Sequence, residues 1–122
     1  MTDLAYGKAT MRKLRELARE AHSRELNKAL AKLEGHFARW RTGEIDAFEL
    51  KHRVHLFHDG ISRDLFVFYR DSQLTTMVAR AIALGVLERD EVPPEILEHL
   101  QSAIAFFVEH MEPDEERDEE GD

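Results

Sequence analysis

A chain of 122 residues with 43% apolar and 34% charged side chains is long enough to bury a core and too apolar for a disordered chain. It has no cysteine, which excludes disulfides, thiolate metal sites, iron–sulfur ligation and a cysteine nucleophile. Its net charge of −8 is uneven: +5 over residues 1–41, −1 over residues 42–70 and −12 over residues 71–122.

The opening, "MTDLAYGKATMRKLREL", is charged and has no apolar signal region. No apolar run approaches the ~18 residues of a transmembrane helix. The expectation is a cytoplasmic protein without a membrane span. Strand signals are nearly absent: the one β-like run, "LFVFY", sits inside a helical pattern.

The first predicted helix covers about residues 8–41 and carries two apolar stripes. Met11, Leu14, Ala18 and Ala21 form one; Leu26, Leu30, Leu33, Phe37 and Trp40 form the other. A step of five between Ala21 and Leu26 shifts the seam near His22, as a stutter does. Such a helix is about 50 Å long and needs a partner along most of its length. On its outer face Glu16–Arg19, Glu20–Arg24 and Glu25–Lys28 are spaced for ion pairs. Acids interrupt the bases and no aromatics interleave, which favours a solvated helix over a nucleic-acid ridge.

"RTGEID" then breaks the pattern. Gly43 suits the left-handed residue that ends a helix, and Glu44 and Asp46 suit the positive N-terminus of the next. So short a link predicts an antiparallel αα-hairpin.

The second helix carries two seams, so it is expected to pack on both sides, as in a coiled coil. Leu50, Val54, Phe57, Ile61, Leu65 and Phe68 make an apolar face. Phe48, His52, His55, Asp59, Ser62, Phe66 and Tyr69 make a strip with aromatic ends and a polar centre, and His58 is expected to point away from it. "HDG" is also a turn signal, but both seams keep phase across Gly60, which predicts a continuous, kinked helix.

Three chemistries fit the strip. His55 and Asp59 suit an i, i+4 pair within a seam, where polar residues fix register and oligomer state. His52, His55 and Asp59, with Glu49 from the Glu-x-x-His spacing, suit a divalent transition metal. His52 oriented by Asp59 suits general acid–base work, although no nucleophile or pocket accompanies it.

The third helix starts after "RDS", with Asp71 or Ser72 as expected cap, and "LTTMVARAIALG" reads as buried on all sides up to Gly85. "VLERDEVPPE" is a connection, Pro94 opens the fourth helix, and Leu97, Leu100, Ile104, Phe107 and Met111 give its apolar face. The third and fourth helices together match the second in length, so they are expected to cover it. Residues 112–122, eight of them acidic, read as a disordered tail after a single helical domain of residues 1–111.

The whole pattern predicts an all-α protein: an antiparallel long-helix hairpin with two further helices, four-helix bundle-like. The leading functional expectation is a non-enzymatic, homodimeric interaction protein whose contact surface includes Leu26, Leu30, Leu33, Phe37, Trp40, Phe48, Phe66 and Tyr69. The alternative is a metal-binding bundle using His52, His55, Asp59 and Glu49. A third reading has the basic first helix meeting an acidic partner or nucleic acid, with the acidic tail competing for that surface.

Overall fold

A computed structural model describes residues 6–111, and the predicted acidic tail, residues 112–122, lies outside the described residues. The fold is all-α, with no strand among the described residues. Helix α1 spans Lys8–Arg41 without a break. Its carbonyls at the C-terminus are closed by a tight turn: Thr42 N donates to Ala38 O at 3.2 Å, and Gly43 N to Trp40 O at 3.1 Å. Gly43 takes φ +83°, the left-handed conformation that only glycine adopts without strain. Asp46 caps the following helix by accepting the Glu49 backbone N–H at 2.9 Å. The two ends of the turn thus behave as their residue types require, and the chain doubles back along α1.

The returning helix has three parts: α2 (Ala47–Leu56), a π-helical turn over Phe57–Ser62, and α3 (Arg63–Asp71). Leu56, Phe57, Ser62 and Arg63 all keep right-handed helical dihedrals, so the chain does not break at "HDG". The π turn accommodates one extra residue by widening its hydrogen bonds to i→i+5.

Helix α4 (Leu74–Leu84) follows, ended by Gly85 at φ +80°. Neither Asp71 nor Ser72 caps it: Gln73 stands at that position without a side-chain bond, while Asp71 is paired with Arg70 at 2.8 Å. The connection contains a 3-10 turn, Arg89–Glu91, closed by a capping box between Glu88 and Glu91. Pro94 opens α5 (Pro94–His110).

The core lies at one end of the molecule. Leu14, Leu17, Ala18 and Ala21 of α1 meet Val78, Ala81 and Ile82 of α4, with Ile96, Leu100 and Ile104 of α5 behind them. Leu87 and Val92 from the connection are buried with them. Helices α4 and α5 were expected to cover the second helix. They pack instead with each other and, through α4, on the first half of α1; only Phe68 and Tyr69, at the end of α3, join the core. The physical reason is in α1, where the small Ala18 and Ala21 allow a close helix approach that the bulky second stripe does not.

The far half of the hairpin, from Leu26 to the π turn, buries only Ala29 and Leu50. It therefore projects from the core as a two-helix arm.

Candidate functional site

Two polar groups stand out, one inside the molecule and one on its surface. The internal one sits where the arm meets the core. Arg80 is the only charge in α4, and it donates to Glu25 of α1 at 2.9 Å. The side chains are 14% and 8% exposed, a nearly buried ion pair. Tyr69 Oη donates to the same Glu25 oxygen at 2.6 Å, and the Tyr69 ring stacks on His22 with centroids 4.4 Å apart. The Arg80 guanidinium lies 4.6 Å from the centre of the Phe68 ring. Burial, and then the negative Glu25, push the Tyr69 phenol well above its ordinary range.

The expected solvated position of Glu25 is overturned: its side chain is 8% exposed and accepts from Tyr69 and Arg80 inside the chain. The missed signal was Arg80, since a lone charge in an otherwise apolar helix must find a partner. Glu25 falls in the five-residue step between the α1 stripes, where the seam rotates.

Next to this group, Arg24 clamps α1 to the connection. It donates twice to Glu91, at 2.9 and 2.7 Å, once to the Val86 carbonyl at 2.8 Å, and once to Glu20 at 2.8 Å. The Arg24 guanidinium and the Glu88 backbone N–H hold the Glu91 carboxyl at about 2.

The surface group is the histidine strip. His55 Nε2 lies 3.2 Å from one Asp59 oxygen and His58 Nδ1 lies 3.1 Å from the other. His58 was expected to point away; at the wide π turn both imidazoles reach the same carboxylate. That carboxylate is held below its ordinary range, first by the His58 bond and further by the nearby His55. Glu49 is turned to Arg53, with 2.7 Å between Oε2 and Nε. His52 is exposed on the same side. Among the described residues no group of three His, Asp or Glu side chains is placed to hold a metal ion.

Around the strip lie exposed apolar side chains. Phe48 is 82% exposed and Phe66 57%, and Leu30, Trp40 and Val54 are also open to solvent. Leu26, Leu33 and Phe37 are half-buried, with Phe37 and Trp40 in edge-to-face contact at 6.5 Å.

No protein-family model, curated protein or solved structure matches the chain. No helix among the described residues is long and apolar enough to cross a membrane.

Proposed function

We propose that this protein is a non-enzymatic helical interaction module of the cytoplasm that works as a homodimer through its projecting arm. The observation that carries this reading is the exposure of Phe48, Trp40, Leu30 and Val54 on the arm, and of Phe66 on α3. Phe48, at 82% exposure, forgoes most of the about 1.5–3 kcal/mol that full burial supplies. The core at the other end gives the arm a rigid base, which lowers the entropy cost of presenting a flat helical surface.

In this reading the histidine strip supplies the polar centre of the contact. Asp59 already bonds two imidazoles, and the Glu49 carboxylate is engaged by Arg53.

Sedimentation equilibrium tests the reading. A dimer is expected at tens of micromolar. Phe48→Ser and Phe66→Ser are each expected to weaken it by about 2 kcal/mol, roughly thirtyfold, as loss of a buried aromatic anchor does. A monomer throughout that range would sink the proposal. Trp40 is the sole tryptophan, so a concentration-dependent blue shift of its emission would report the same association.

A further inference from the structure

The acids expected to neutralise the outer face of α1 are engaged elsewhere. Glu16 lies 4.0 Å from Lys13 rather than on Arg19, Glu20 accepts from Arg24, and Glu25 takes Arg80 inside the chain. Lys8, Arg12, Arg15 and Arg19 are left exposed. Among the described residues no carboxylate is in ion-pair contact with any of the four.

These four cations share one face. Steps of four, three and four on an unbroken α-helix hold them within about 60° of arc, on the side turned away from the buried Leu14, Leu17 and Ala21. They form a ridge about 16 Å long. The start of the helix adds to its positive field. Gly7 makes no side-chain cap there, and no acid stands in the first turn. Open backbone N–H groups therefore lie beside Lys8 with no anion supplied by α1 itself.

Cations in series attract carboxylates in series, and the chain carries such a run. Residues 112–122 hold eight Asp or Glu and one Arg, a net charge of −7. Asp118, Glu119, Glu120 and Asp122 crowd into five positions. We infer that this acidic segment docks on the ridge of its own chain, with residues 118–122 against Lys8 and Arg12, and so keeps other anions off α1. The ridge is on the half of α1 that holds the core, apart from the arm, so the inference does not depend on the homodimer reading.

The fold brings the segment within reach. The Tyr6 ring, just ahead of α1, stands edge-on to His99 of α5 with centroids 5.5 Å apart. The middle of α5 is thus beside the start of the ridge. From His99 to the end of α5 at His110 the helix covers about 16 Å. Eleven residues can span up to about 36 Å. Folding back along α5 takes about half of that span, and the rest carries residues 118–122 across to Lys8 and Arg12. A second copy offers the same charges, but a tethered segment acts at an effective concentration on the order of millimolar and prevails in dilute solution.

The chain lacks cysteine, so Gly121→Cys accepts a single nitroxide spin label. Isotope-labelled full-length protein carrying it is examined by NMR in dilute solution at low salt. The expected result is loss of amide signal around Lys8 and Arg12, with little loss near Arg41 at the far end of α1. Raising salt from about 0.1 M to about 1 M shortens the screening length from about 10 Å to about 3 Å, and the signals are expected to return. Broadening that is absent, spread evenly over the surface or indifferent to salt would overturn the inference. Mixing isotope-labelled wild type with unlabelled, spin-labelled Gly121→Cys separates one chain from two. Signal loss on the wild type in that mixture would show docking on a second copy and overturn the same-chain contact.

Charge reversal gives a second measurement. Lys8→Glu with Arg12→Glu is expected to abolish the broadening. Adding Asp118→Lys, Glu119→Lys and Glu120→Lys to that variant is expected to restore it, with the same salt dependence. Restoration would show that charge pairing, and not damage to the fold, caused the loss. Failure to restore it in a variant of unchanged helix content would overturn the inference.

Discussion

Arg80 and Glu25 form a pair that costs desolvation on both sides and is kept by its geometry. Removing one partner strands the other in a nearly dry place. Glu25→Ala is therefore expected to lower stability by about 3 kcal/mol in urea denaturation, and the double change Glu25→Leu with Arg80→Met by much less. Equal losses in the two would mean that the charges carry no mutual interaction. Tyr69 supplies a pH signature for the same group. Its folded-state pKa is raised above the ordinary 10.0. The stability linked to it is thus complete below pH 10 and falls as pH rises beyond, because the unfolded chain gives up the proton first. Tyr69→Phe is expected to remove that alkaline slope. At the acid end the sign reverses. Glu91 is depressed from 4.5 to about 2. Its contribution is present above pH 4.5 and is lost as pH falls toward 2, and Arg24→Met is expected to flatten the acid limb of a thermal-melting profile over that window.

At the scale of the element, the π turn is the distinctive feature. Regular helical phase, carried from Phe48 through Tyr69, describes the second helix as one unbroken spiral. The extra residue in Phe57–Ser62 rotates α3 relative to α2, so the upper strip splits: Phe66 remains in solvent, while Ser62 and Tyr69 turn partly inward. Gly60 lies within this turn at a negative φ, with open space where a Cβ would go. Gly60→Ala is expected to stabilise the monomer by up to about 1 kcal/mol, through lower entropy of the unfolded chain. Gly85→Ala is expected to do the opposite, at a cost of about 1 kcal/mol, since φ +80° excludes a Cβ. Paired thermal melts distinguish them; a destabilising Gly60→Ala would show that the π turn needs glycine itself.

The whole molecule has an uneven distribution of stability. Leu14 and Ile104 are packed in the core between α1, α4 and α5, while Phe48 on the arm touches mostly water. Leu14→Ala is expected to cost about 2–5 kcal/mol of folding stability. Phe48→Ser is expected to change folding stability by no more than about 0.5 kcal/mol, measured in dilute solution. Hydrogen exchange should follow the same division. Amides of α4 and the first half of α1 are expected to open only with global unfolding, and those near Gly43 by local opening. Uniform protection along α1 in the monomer would contradict this account of the arm.

Periodicity in the sequence was sufficient to determine the helices and most of their ends. The spacing of Leu and Ala in α1, the left-handed glycines 43 and 85, the cap at Asp46 and the proline at the start of α5 are all local requirements, satisfied within a few residues of where they arise. The strip from Phe48 to Tyr69 follows regular helical phase only as far as the π turn, beyond which Ser62 and Tyr69 turn partly inward. What surrounds those elements depends on contacts distant in the chain. Glu25 is 55 residues from Arg80, and nothing near either one shows that they meet. The π turn was not legible either: regular helical phase runs on through Gly60, whereas the structure has a π turn over Phe57–Ser62. Nor was the placement of α4 and α5. Length alone allowed them to cover the second helix, but close approach at Ala18 and Ala21 draws them to the first half of α1. Burial there leaves the arm uncovered, with Phe48, Trp40 and Leu30 open to solvent.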